Sequence, residues 1–114
     1  MRRVVVTGLG LLTPLGCGVE VVWNRLLKGD SSATKITKFD PSDYSTSYAC
    51  EIPFGSDSEE KFDPDEWMSS KDRRKVDDFI LYGVCAADQA VKDAGWIPDK
   101  EEDLLKTGVM IGSG

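Results

Sequence analysis

The stretch Val4-Val5-Val6-Thr7-Gly8-Leu9-Gly10-Leu11-Leu12-Thr13-Pro14-Leu15-Gly16 decides how this chain is read. Three β-branched residues in a row, stopped by glycines, form the pattern of a strand buried on both faces. Burying each valine is worth about 1.5–3 kcal/mol, so the pattern predicts a central strand with a neighbour on either side. The glycines also suggest a dinucleotide-binding turn, in which G-x-G-x-x-G lets the backbone approach a pyrophosphate at a helix N-terminus. Thr13 stands where the third glycine is needed, and no acidic residue ends a matching second strand, which leaves a Rossmann-type nucleotide-binding domain as the lesser alternative. Arg2 and Arg3 ahead of an apolar run ending at Gly16-Cys17 imitate a signal peptide. Gly8, Gly10 and Pro14 interrupt the helix such a core needs, and the expectation is a cytoplasmic chain.

Outward from this stretch, Val19, Val22, Trp23, Leu26 and Leu27 fall at i, i+3, i+4, i+7 and i+8, the stripe of an amphipathic helix closed by Gly29. Residues 30–47 are polar and turn-rich and predict an irregular surface excursion. A short strand is expected at residues 48–52, ended by Pro53, and a short helical turn at residues 63–68 with Asp63 as N-cap and Pro64 at the first position. The next signal is a long helix over residues 71–94, capped by Ser69 or Ser70 and closed by Gly95. Between Phe79 and Ala87 it has scarcely any polar face, and a helix apolar all round is buried all round. Gly83 in its middle suggests a second backbone passing close by. This chain offers too little else to enclose such a helix, so missing neighbours are inferred. Residues 107–111 predict a further strand, ending in Gly112-Ser113-Gly114.

The chain has 114 residues, enough for one domain, and carries a net charge of −6 with 30% charged residues. That balance argues against a general nucleic-acid or anionic-membrane binder, and no apolar run reaches the roughly 20 residues needed to span a bilayer. Cys17, Cys50 and Cys85 are odd in number and scattered, which fits reduced thiols rather than a disulfide framework or a zinc site. The absence of histidine removes the commonest general base, so Cys17 has nothing to activate it as a nucleophile. Cys85 reads as a buried packing residue. The acidic runs at residues 57–60 and 99–103 lack calcium-loop spacing and read as solvated loop charge. No cofactor or metal is implied.

One cluster stands out. Lys71, Arg73, Arg74 and Lys75 are the densest positive group in an acidic chain. In the opening turns of a long helix they would oppose the macrodipole, at a cost of about 0.3–1 kcal/mol each. Neutralisation by Asp72, Asp77 and Asp78 is the plain alternative to a docking patch for an acidic partner.

The strings RRVVVTGLGLLTPLG, WNRLLKG, FDPSDY, RRKVDDFILYGVCAADQAV and IGSG together resemble the N-terminal part of the β-ketoacyl-acyl-carrier-protein synthases, most of all synthase II, over essentially the whole chain. The resemblance implies an α/β chain forming the N-terminal part of a thiolase-like layered fold, incomplete on its own, with residues 1–114 as the first part of the synthase's N-terminal domain. It also implies acyl transfer by decarboxylative Claisen condensation in fatty-acid biosynthesis, an acyl-carrier protein as partner, and a homodimer. In that family the nucleophilic cysteine and two histidines lie beyond the point matching residue 114, so no catalytic residue is assigned here. Positions matching Lys71, Arg74 and Lys75 receive the acidic helix of the carrier protein, with Arg73 a less certain member. Ile111 matches the apolar residue that gates the acyl pocket, although by pattern alone it reads as sheet core. A non-catalytic interaction fragment is the other alternative.

Overall fold

The computed structural model describes residues 1–113. Its centre is a helix with an extended strap laid across it. The helix, α3 (Asp78–Ala94), ends at Gly95 in the left-handed conformation, with the Gly95 amide returned to the Val91 and Lys92 carbonyls. The strap is the segment opened by the valine run. At Gly8 and Gly10 its backbone comes so near α3 that a Cβ on Gly10 would stand 1.9 Å from the Ala86 carbonyl oxygen, and one on Gly8 2.2 Å from that of Ala90. Only glycine permits that approach. The contact is held by polar groups: the Leu9 amide donates to Asp93 (2.9 Å), the Leu11 amide to the Gln89 side-chain oxygen (3.2 Å), and the Gln89 amide group donates back to the Leu11 carbonyl (3.2 Å).

The strap then turns through a minimal antiparallel hairpin, β1 (Leu12–Thr13) and β2 (Gly16–Cys17), with Leu12 opposite Cys17. It enters α1 (Val19–Lys28), which closes at Gly29 as its sequence predicts. Arg25 anchors α1, donating to the Leu15 carbonyl at 2.8 Å and pairing with Asp30 at 3.0 Å. The excursion after α1 is less irregular than expected, because β3 (Ala33–Lys35) pairs antiparallel with β4 (Tyr48–Cys50). Asp63 caps a 3-10 turn at Pro64–Glu66 by accepting from the Asp65 amide, the arrangement its Asp-Pro start predicts.

The core is small. Phe62, Leu81 and Cys85 are buried together, with Leu12, Ile52, Trp67 and Tyr82 packed around them, and Val22 is buried on α1. Phe62 meets Phe54 and Tyr82 edge-on at 5.5 and 5.8 Å between ring centroids, a favourable arrangement of aromatic quadrupoles. The radius of gyration is 17.1 Å, against about 13 Å for a closed domain of this length. The accessible surface is 9216 Å², about half as much again as the roughly 6,200 Å² of a compact monomer of this mass.

Several expectations are corrected. Residues 4–6 are not in a strand: Val4, Val5 and Val6 are exposed, and among the described residues no backbone hydrogen bond engages them. A strand exists only when paired, and no described segment pairs with these residues. Residues 107–111 fail as a strand for the same reason, with Val109, Met110 and Ile111 exposed; Gly114 lies outside the described residues. The long helix is two helices, α2 (Ser70–Arg73), capped by the Ser69 side chain, and α3, separated by residues 74–77. Arg-Arg-Lys followed by Asp-Asp is the charge pattern of one helix ending and the next beginning. α3 buries only Leu81 and Cys85, while Phe79, Ile80 and Val84 stay exposed, and nothing lies within 4 Å of a Cβ built on Gly83. The later acidic run forms α4 (Glu101–Leu105), with its carboxylates in the first turn where they favour a helix, and Glu102 pairs with Lys106.

Candidate functional site

The basic cluster lies on α2 and the turn after it. The break in the helix changes its electrostatics: Arg73 and Arg74 stand at the C-terminal end of α2 rather than at the N-terminus of a longer helix. Cations are favoured at a C-terminus, so the conflict with the macrodipole is removed for Arg73 and Arg74, while Lys71 stays in the first turn of α2 and Lys75 lies ahead of the Asp77 cap of α3. Asp77 and Asp78 occupy the start of α3.

Neutralisation is also only partial. Lys75 pairs with Asp72 at 3.2 Å and Arg73 with Asp65 at 3.2 Å, whereas Asp78 turns to Lys38 at 3.6 Å. The Ser69 hydroxyl, with Lys75, holds the Asp72 carboxyl below the usual carboxylate range. Lys71 and Arg74 are exposed and enter no ion pair among the described residues; Arg74 donates instead to the Ser70 carbonyl at 3.2 Å. Beside them opens a cleft of about 430 Å³ lined by Phe54, Pro64, Val76 and Leu81 together with Ser70, two arginines, Arg73 and Arg74, and two aspartates, Asp77 and Asp78. Lys71 and Arg74 can attract an anionic surface, while the cleft beside them carries both charges along with its apolar side chains.

Ile111 is not part of such an arrangement. It is exposed in a segment without regular structure, and no cavity found among the described residues is lined by it.

The glycine motif is no phosphate cradle. The space that a pyrophosphate would need at Gly8 and Gly10 is taken by the Ala86–Ala90 turn of α3, which removes the basis of the nucleotide-binding alternative.

A further group was not legible in the sequence. Cys17 on β2 and Cys85 on α3, 68 residues apart, have their sulfurs 3.6 Å from each other, and the Gln89 side-chain amide donates to both, at 3.5 and 3.2 Å. Burial raises the Cys17 thiol above its ordinary value and pushes Cys85 up to about 12. Tyr82 is likewise pushed up to about 12 by burial, then by the neighbouring Asp78 carboxylate. A cavity of about 460 Å³ opens beside Cys17, walled by Ser56, Ser58, Lys61, Glu66, Trp67 and Gln89.

Comparison with known proteins places these features in context. Residues 1–114 match the family described as beta-ketoacyl synthase, N-terminal domain. The chain is 55% identical over 114 residues to the 3-oxoacyl-[acyl-carrier-protein] synthase 2 of Rhizobium meliloti (strain 1021), covering all of this chain and 27% of that protein. It is 44% identical over 129 aligned residues to the mitochondrial 3-oxoacyl-[acyl-carrier-protein] synthase of Arabidopsis thaliana, covering 99% of this chain and 27% of that one. Among solved structures, the ishigamide ketosynthase/chain length factor superimposes with a TM-score of 0.69 at 36% identity, over 84% of this chain and 22% of that chain. The chain therefore spans about a quarter of the length of the curated relatives it matches.

Proposed function

The chain belongs to the β-ketoacyl synthase family through its N-terminal domain, and from that premise we propose that it is the first part of a 3-oxoacyl-acyl-carrier-protein synthase. The full-length protein would elongate acyl chains in fatty-acid biosynthesis. A cysteine would accept the acyl group from its carrier, malonyl-carrier protein would lose carbon dioxide, and the resulting carbanion would attack the acyl thioester with two histidines assisting. Those three groups belong to the polypeptide beyond this chain, which supplies scaffold and docking surface. The match over residues 1–114 carries this reading. A cytoplasmic homodimer is the assembly it implies, and the sedimentation of the full-length protein is its check.

Docking is assigned to Lys71, Arg74 and Lys75. Its support is a cationic group in a chain of net charge −6, with Lys71 and Arg74 outside any ion pair among the described residues. Attraction between such a patch and an acidic carrier acts at long range and is screened over about 8 Å at physiological salt. Replacing Lys71, Arg74 and Lys75 together by glutamate in the full-length protein raises KM for carrier-protein substrates about tenfold, equivalent to about 1.4 kcal/mol, and spares small pantetheine thioesters. Equal loss for both substrates, or a wild-type preference indifferent to salt, defeats the assignment.

Ile111 is assigned to the wall of the acyl pocket, on its match to the family's gating position. In the full-length protein Ile111→Phe depresses turnover of long acyl substrates more than short ones, since overpacking costs about 1–3 kcal/mol. A uniform loss across chain lengths would mark a general packing defect instead.

A further inference from the structure

The two sulfurs of Cys17 and Cys85 lie in van der Waals contact on elements far apart in the chain, and their exposures differ: Cys85 is fully buried and Cys17 only partly. The cavity of about 460 Å³ reaches Cys17 and not Cys85. Its walls mix both charges, with Lys61 against Glu59, Asp63 and Glu66, among serines and Gln89, which suits a small polar disulfide without strong net negative charge. The two hydrogens of the Gln89 amide group are shared among the Leu11 carbonyl and both sulfurs, and a donor at sulfur stabilises negative charge there.

We propose that Cys17 and Cys85 form a thiol–disulfide exchange site, with Cys17 the attacking thiol, Cys85 the resolving thiol, and a small neutral or zwitterionic disulfide the co-substrate. The Cys17 thiolate attacks one sulfur of the disulfide R–S–S–R; that bond breaks, and the departing thiolate takes up the proton Cys17 has lost. Cys85 then gives up its proton and attacks the Cys17 sulfur, forming the Cys17–Cys85 bond and expelling the second R–S group, which leaves as a thiol. The protein dithiol is oxidised by two electrons and one disulfide is reduced to two thiols. Sulfurs 3.6 Å apart need to close by about 1.5 Å to reach bonding distance, within the reach of a χ1 rotation at Cys17. The bond would tie the β1–β2 hairpin to the middle of α3. Because burial keeps the thiolate fraction low, exchange is slow, and the test is read at completion rather than as a rate.

The experiment treats the native full-length protein with hydroxyethyl disulfide, followed by acid quench, tryptic digestion without reduction and mass mapping. The expected product joins the peptide of residues 4–25 to that of residues 76–92, at least tenfold more abundant than any peptide pair containing Cys50. The Cys50→Ser variant retains it. In Cys85→Ala, Cys17 accumulates a stable mixed disulfide, because nothing resolves it; in Cys17→Ser, Cys85 stays unmodified. A wild-type protein that holds the mixed disulfide at Cys17 at completion without forming the cross-link overturns the proposal, as does a Cys17 that never reacts. Either result would leave the sulfurs as packing atoms.

Discussion

Val22 on α1 is 3% exposed and Val4 in the strap is 96% exposed, although the same side chain has the same reason to leave water in both places. The contrast extends to whole regions. Around Phe62, Leu81 and Cys85 the chain folds onto itself and closes a core; along residues 4–6, the outer face of α3 and residues 109–111, equally apolar groups meet solvent. The difference lies in where the partners come from. A helix satisfies its backbone within one segment, whereas a strand needs a neighbour contributed by distant sequence. The chain spans about a quarter of the length of the curated relatives it matches.

The harshest way to break the closed region is Phe62→Ala. Phe62 is fully buried between two aromatic rings, and its loss should cost about 3–5 kcal/mol, read as a lowered urea midpoint of the full-length protein. A loss under about 1 kcal/mol would mean that this cluster is not the core it looks to be.

Val5→Ala sharpens the contrast itself. In residues 1–114 alone Val5 is largely exposed, and the substitution should change stability by less than about 0.5 kcal/mol. In the full-length protein, with the strand paired and covered, it should cost about 1.5 kcal/mol at about 0.8 per methylene. Equal effects in the two proteins would refute the idea that the rest of the polypeptide covers this segment.

The smallest effect is alkaline. Folding favours the neutral forms of Cys85 and Tyr82, raising them from 9.0 and 10.0 to about 12. The unfolded chain therefore releases these protons first as pH rises. Their contribution is fully present below about pH 9 for the thiol and pH 10 for the phenol, and it is lost as pH climbs to about 12. At pH 10, one unit above the unfolded thiol's value, the thiol alone should already have lost about 1.4 kcal/mol of its contribution. Cys85→Ala should flatten that part of the stability–pH curve, and an unchanged slope in the variant would show that the thiol does not titrate with unfolding.

Much of the local structure was legible. Gly29 and Gly95 mark their helix ends, Asp63-Pro64 its turn, and the Val19 to Leu27 stripe its helix. The break before Asp77 and the acidic first turn of α4 are also written in the charges, but helix periodicity runs across the first and loop-like composition masks the second. Of the candidate sites, the basic cluster was visible because its members are neighbours in sequence. Its electrostatic setting was not, since that depends on where α2 stops.

The sequence by itself determined the family and those features whose causes lie within a few residues: caps, amphipathic stripes, charge clusters. Only the tertiary structure decided that Gly8 and Gly10 serve contact with α3 rather than a phosphate, that β3 pairs with β4, and that Cys17 meets Cys85. Each of these joins segments separated by many residues, and no local preference encodes which distant partner a backbone group or side chain will find. The valine run shows the same rule from the other side. Its β-branched residues favour an extended backbone, but a strand is a relation between segments, and among the described residues none pairs with it.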